Sequence, residues 1–317
     1  METVPTIRPY RAGDLDGVLE VLKAALGESP ILQRTPALWA WKHEQNPFGP
    51  SLVLVAEVEG RLAGVRALMR WDLELPDETR LRCLRAVDTA THPQFERRGI
   101  FRKLTIEAVE QARNDGFDLI FNTPNDRSGA GYLTMGWRQV GAIGVMVRPL
   151  LRRGRGVPVG SIPDPQDFFD PVPPTFEPKE FAQRLSPGLR TPRSQEYLSW
   201  RFNLHPSVHY RAIAHGAATA LVRPNVRQGR KEVVVSDVLG RANRAVISEI
   251  AHRSRAAYVA GWFSHGSPER RAALMGGMIP VPGRRSLILV ANPLRDLPID
   301  VFEMANWDLA LSDLELL

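Results

Sequence analysis

At 317 residues, with 44% hydrophobic and 24% charged residues, the chain has globular composition and enough length for two cores. Its formal charge of +6 rests on 41 basic residues, nearly all Arg, spread along the chain and matched by 35 acids; no polybasic tail or aromatic platform points to nucleic acid as the main partner. The N-terminus has neither basic head nor apolar core, no stretch approaches the ~18 apolar residues of a membrane span, and a lone cysteine, Cys83, excludes internal disulfides and cysteine zinc clusters, so a soluble, cytoplasmic, metal-free protein is expected.

In chain order, a strand is predicted from Thr6 to Tyr10 and a helix from Asp14 to Leu26. A second helix follows from Pro36 to His43, with Thr35 placed to cap it and Pro36 at its first position. Three strands come next, with turns at Gly60 and at Pro76-Asp77; Cys83 lies in the last of them, where a structural role suits it better than nucleophilic attack. After a loop, apolar residues Phe101, Leu104, Ala108, Val109 and Ala112 mark a helix from Ile100 to Asn114, closed by Gly116. A strand in "FDLIFN", a short helix and a strand from Arg138 complete this half. Hairpins followed by a strand-helix-strand crossover predict a mixed, mainly antiparallel sheet with helices on both faces.

Ten prolines between Pro149 and Pro192 mark an extended connector. The expected division is therefore a domain over residues 1–150, a connector over 151–192 and a second domain over 193–317. The two halves align: "LWAWKHEQNP" matches "YLSWRFNLHP" through Trp41/Trp200, Lys42/Arg201 and Pro47/Pro206, each pair at the same offset, with Ser194 as the second cap. "LRAVDTA" then parallels "VVVSDVLG", which sets Asp88 against Asp237 and suggests duplication of one α/β unit.

The loop before the third helix carries the chemistry. A helix start fixed by packing leaves amides without partners and carries the positive end of the macrodipole, and such starts favour Asp or Glu. Here Arg97 and Arg98 precede it and Arg102 lies in its first turn, around Gly99. That pattern calls for an outside anion, and a pyrophosphate fits.

At this point the sequence resembles the GNAT N-acetyltransferase superfamily, whose signature Gln/Arg-x-x-Gly-x-Gly/Ala falls on Glu96 to Phe101. Glu96 and Phe101 depart from it, while Gly99, Pro93 and Leu104 fit. A second motif, "NDRSGAGYLTMGW", matches Asn-x-x-Ala/Ser-x-x-x-Tyr-x-x-x-Gly-aromatic at Asn125, Ser128, Tyr132, Gly136 and Trp137. The resemblance implies two tandem GNAT-like domains, similar in arrangement to acetyltransferases of the enhanced-intracellular-survival type, whose sterol-carrier-like domain has no counterpart in this sequence.

It further implies acetyl-CoA as co-substrate and transfer of its acyl group to a primary amine. Arg97, Arg98, Gly99, Ile100, Phe101 and Arg102 would receive the pyrophosphate. Thr89, Ala90 and Thr91 would pair with pantetheine opposite Asn122, with Asn125 and Ser128 nearby. Tyr132 would donate a proton to the departing thiolate. The base that takes the amine's proton stays open among Asp88, His92 and the acidic residues Asp308, Asp313 and Glu315; Asp237 at the matching place favours a shared structural role for Asp88. In the second half only Gly240 to Asn243 precede the corresponding helix, and Ala273 stands where Tyr132 would, so no cofactor site is expected there. His205 and His209 have zinc-like spacing but no clustered partner ligands. A small-molecule amine, a peptide and a protein are all compatible acceptors, and a sheet edge leaves a homodimer open. The rival readings are a non-catalytic acyl-CoA sensor, a scaffold or binding protein, and an aminoacyl-tRNA-dependent transferase of the peptidoglycan-bridge type.

Overall fold

The computed structural model describes residues 4–29, 32–150, 164–169, 188–281 and 287–314. Most of the connector at 151–192, and Glu315, lie outside them. Among the described residues no helix is long and apolar enough to cross a membrane.

The first half runs β1 (Thr6–Pro9), α1 (Leu15–Leu26), α2 (Pro36–His43), β2 (Leu52–Val58), β3 (Arg61–Arg70), the short pair β4 (Leu73–Glu74) and β5 (Arg80–Leu81), then β6 (Cys83–Thr91), α3 (Ile100–Asn114), β7 (Leu119–Asn122), α4 (Gly129–Leu133), β8 (Arg138–Ile143) and β9 (Met146–Pro149). The second half runs α5 (Gln195–Leu198), β10 (Arg211–His215), β11 (Ala218–Arg227), β12 (Arg230–Gly240), α6 (Arg244–Arg253), β13 (Tyr258–Gly261), α7 (Pro268–Met275), β14 (Ile279–Pro280), β15 (Leu287–Pro293) and α8 (Leu311–Leu314). Both predicted caps form: Thr35 accepts from the Leu38 amide and Ser194 from the Tyr197 amide.

Two compact units result, and neither follows a single cut of the chain. The first holds the described residues of 1–73, 80–141 and 288–302, around a seven-stranded sheet ordered β1-β2-β3-β6-β7-β15-β8. The second holds those of 74–79, 142–287 and 303–317, with a six-stranded sheet ordered β10-β11-β12-β13-β9-β14. Each half thus gives its last long-range strand to the other half's sheet: β15 pairs antiparallel with β7, and β9 pairs antiparallel with β13. Local periodicity identifies a strand but not its partner, which is why a boundary at residue 150 misassigns residues 142–149 and 288–302. Both sheets are mixed and mainly antiparallel, with parallel contacts at β6–β7 and β12–β13.

In the first unit α3 packs Ile100, Leu104, Ala108 and Ala112 onto one sheet face, while α1 and Trp39 of α2 cover the other. Gly64 of β3 lets α3 come close: a Cβ there would lie 2.8 Å from Ile100 Cγ2. Cys83 is fully buried, and burial pushes its thiol well above the ordinary range, which fits packing and removes it from nucleophilic chemistry.

Candidate active site

The site begins where two strands part. β6 meets β7 in parallel at Cys83–Arg85, against Leu119–Phe121, and among the described residues Ala86 to Thr91 have no strand partner on that side. The same stretch of β6 carries an irregularity: its register with β3 breaks between Val65 and Ala67, and Asp88 adopts φ 39° there. Thr89, Ala90 and Thr91 therefore edge a splay. Thr89 spends its hydroxyl proton on the Val87 carbonyl, at 3.1 Å. Asn122 ends β7 with its side chain buried and its Oδ1 without a hydrogen-bond partner.

The segment after β6 forms a short turn at Pro93–Phe95, capped by His92, whose Nδ1 accepts from the Gln94 amide at 3.3 Å. Arg97 and Gly99 both adopt left-handed backbone, φ 64° and 71°, which folds the chain back into α3. No side chain caps α3, and its first turn holds no acid. Arg97, Arg98 and Arg102 are exposed, and among the described residues none has a carboxylate partner; Arg98 rests over the Phe95 ring at 5.4 Å. Unspent amides, dipole and guanidinium groups thus converge on one turn. The start of α6 differs, because Asn243 accepts from the Val246 amide and so closes that turn with the chain's own side chain. The second unit's helix start is self-capped where the first unit's is not.

Phe101 departs from the motif's small residue, and a glycine compensates. Its ring lies against Gly131 of α4, where a Cβ would sit 3.0 Å from Phe101 Cε1. The ring also meets Tyr132 edge-on at 5.6 Å, so the bulky residue packs beneath α4.

Tyr132 is 3% exposed, edge-on to Trp137 at 5.0 Å. Its hydroxyl accepts a 2.6 Å hydrogen bond from Arg66 Nη1, which also donates to Thr89 Oγ1 at 3.2 Å. Arg66 escaped the sequence reading because it belongs to no motif; a lone arginine inside the apolar run of β3 was its only signal. The Asn125 and Ser128 side chains, expected to face the cofactor, are instead engaged in the turn that starts α4. Asn125 Oδ1 accepts from the Arg127 and Ser128 amides and from Ser128 Oγ, at 3.1, 3.0 and 3.0 Å. They hold the helix that carries Tyr132.

Asp88 is placed at the centre of a buried ionic cluster. It accepts from Lys42 Nζ at 2.7 Å, from Arg34 Nη1 at 3.1 Å and from His43 Nε2 at 3.1 Å. Burial by itself would raise its carboxyl; the Lys42 charge and the His43 hydrogen bond outweigh that and hold it well below the usual carboxylate range. A carboxylate so committed is a poor base. Asp237 repeats the arrangement with Arg193 at 2.8 Å, and Arg193 stands at the same offset from Arg34 as Trp200 from Trp41. The shared role of the two aspartates is to tie the segment before a helix to a central strand.

The acidic C-terminal residues fare likewise. Asp313 is fully buried, bound by Arg193 at 2.9 Å through each oxygen and by the Ala310 amide, so it is neither a solvated tail nor a free base. Asp308 is buried too. His205 uses Nδ1 to accept from the Ser207 and Val208 amides, which occupies it in a turn.

His43 gives the cluster a pH dependence. Burial lowers its basicity, against the opposing pull of Asp88, so the folded state stays neutral where an unfolded histidine takes up a proton below about pH 6.5. The unfolded state then binds more protons, and stability rises with pH through this window. Urea unfolding at pH 7 and pH 5 should show a loss on acidification of up to ~1.4 kcal/mol per pH unit from this group, and His43→Gln should flatten that slope.

A family model described as an acetyltransferase (GNAT) domain matches residues 6–140. Solved structures extend the likeness of fold over nearly the whole chain. Eis1 from Mycobacterium abscessus is 16% identical with TM-score 0.58, over 92% of this chain and 74% of that one. A GCN5-related N-acetyltransferase from Anabaena variabilis is 13% identical with TM-score 0.62, over 92% and 73%. A putative acetyltransferase from Pyrococcus horikoshii is 13% identical with TM-score 0.53, over 99% and 95%. No curated protein matches the sequence. The fold shared with these structures is two mixed, mainly antiparallel sheets flanked by helices.

Proposed function

We propose that this chain is an acyl-CoA-dependent N-acyltransferase, working with acetyl-CoA on a primary amine, and that the first unit carries the reaction. One observation carries the proposal: among the described residues α3 starts without a side-chain cap, beside three guanidinium groups that have no carboxylate partner, at the end of a splayed strand pair. Arg97, Arg98, Arg102 and the amides of Gly99 to Arg102 would hold the diphosphate. Main-chain groups of Thr89 to Thr91 would align the pantetheine arm, and a backbone N–H of β6 would polarise the thioester carbonyl. Bound acyl-CoA supplies an electrophilic carbonyl and a thiolate leaving group. Tyr132 supplies the proton that the leaving sulfur needs.

With Asp88 and Asp313 locked in ion pairs, the amine's proton leaves through water, with His92 a side-chain candidate among the described residues. The acceptor is an amine of a small molecule, a peptide or a protein. The test is a thiol-release screen over those classes with acetyl-CoA and longer acyl-CoAs. Release of CoA thiol that depends on an amine supports the proposal. Saturable binding without release under any amine would leave a sensor instead.

A further inference from the structure

Arg66 is fully buried, and among the described residues it has no carboxylate partner. Its Nε and Nη2 make no hydrogen bond, and its guanidinium lies over the Tyr132 ring at 5.1 Å and the Trp137 ring at 5.9 Å. Burying an unpaired cation is unfavourable, and cation–π contacts offset only part of that cost. A leucine would fill this place in β3 more cheaply, so the charge is there for something other than packing.

Its bonds say what. A guanidinium has donors and no acceptor, so in the 2.6 Å contact the Tyr132 oxygen must accept, and the phenol's own proton has to point away from Arg66. No acceptor for that proton exists among the described residues. The same Nη1 reaches Thr89 in the part of β6 that β7 no longer pairs, which sets the hydroxyl beside the splay.

We infer that Arg66 is a positioning residue for Tyr132: it fixes the phenol as an acceptor on one side, so that its proton is held free for a departing sulfur on the other. The inference rests on the N-acyltransferase proposal. In the step it describes, the amine nitrogen has bonded to the carbonyl carbon and the C–S bond breaks with its electron pair on sulfur. The proton passes from Tyr132 Oη to that sulfur, and the phenolate left behind faces Arg66 Nη1. The proton shed by the amine then returns the phenol to its starting state through water. Arg66 touches neither the sulfur nor the amine.

Two readouts test this on the full chain. The first needs no co-substrate. The Raman doublet of tyrosine distinguishes a phenol that accepts from one that donates, and a difference spectrum against Tyr132→Phe isolates Tyr132. The wild type should show a strong acceptor, Arg66→Met should lose that signature, and Arg66→Lys should keep part of it. The second is a double-mutant cycle on kcat. Arg66→Met should lower kcat by ~10²-fold or more, with KM and the calorimetric Kd for acetyl-CoA within about threefold, and Arg66→Lys should recover about a tenth or more of the loss. In a Tyr132→Phe background the same change should cost less than about twofold, because the two residues act as one unit.

Multiplying losses, or a loss confined to KM, would overturn the inference while leaving the acyltransferase proposal intact. So would an acceptor signature that survives Arg66→Met. If Arg66→Met does not fold, Arg66→Lys and the Raman spectrum of the wild type decide. A wild type that releases no thiol with any acyl-CoA and amine overturns the proposal underneath.

Discussion

Replacing Tyr132 with Phe should cut turnover by about 10²-fold while acetyl-CoA affinity changes little. The ring keeps its edge-on contacts with Phe101 and Trp137, so α4 stays in place and the splay keeps its shape. Only the hydroxyl goes. The thiolate then leaves without an acid, which affects the chemical step and spares the diphosphate contacts far along the cofactor. Stability should drop as well, by about 1 kcal/mol, since Arg66 Nη1 loses the shorter of its two hydrogen bonds and keeps only the one to Thr89. Stopped-flow thiol release and calorimetry on the same preparation separate these effects. Equal kcat in variant and wild type would remove Tyr132 from the reaction.

Asp88→Asn should have the largest effect on stability, with a modest effect on chemistry. Lys42 and Arg34 are 4% and 7% exposed, and the substitution leaves both without their countercharge. Breaking a buried ion pair from one side costs about 3–5 kcal/mol. The pH dependence follows from the direction of the shift. The folded carboxyl is held below its unfolded value of ~3.9, so its stabilisation is complete above about pH 5 and is lost as pH falls through the acid range. At pH 7 the wild type should therefore exceed Asp88→Asn by the full amount in a urea titration, and the gap should begin to narrow below about pH 4 and go on narrowing as pH falls further. Turnover per folded molecule should stay within about threefold of wild type, because the ion pairs to Lys42 and Arg34 leave the Asp88 carboxylate poorly suited to act as a base. A stable variant with abolished turnover would reverse that assignment.

Much of the first unit was legible because its signals are local. Helix α3 starts and stops where its apolar period and Gly116 place it, and α2 begins at the predicted Thr35 cap. The uncapped turn at Gly99 follows from charge alone, since three arginines around a helix start have no local partner. Pairing was not legible. Nothing in "LILVANP" announces that it will lie between β7 and β8, nor in "MVRP" that it belongs beside β13. Strand exchange is decided by long-range burial, to which an alternating pattern is blind.

The site shows the same limit. Motif spacing finds Tyr132, but its partner Arg66 is a distant residue on β3 and enters only through three-dimensional contact. Conversely, Asp313 and Asn125 looked chemically free as letters, and Asp88 showed a structural role only through its match to Asp237, without its partners. Each is spent on neighbours that a sequence does not show beside it: Lys42 and Arg34, Arg193, and the amides of its own turn.

The central claim is that the start of α3 receives the diphosphate of an acyl-CoA, and a calorimetric titration of acetyl-CoA tests it most directly. Wild type should show saturable one-to-one binding, and a variant carrying both Arg98→Ala and Arg102→Ala should bind about tenfold or more weakly, with the difference shrinking as salt is raised. No heat of association with acetyl-CoA or any longer acyl-CoA, or equal affinity in the two proteins, would contradict it.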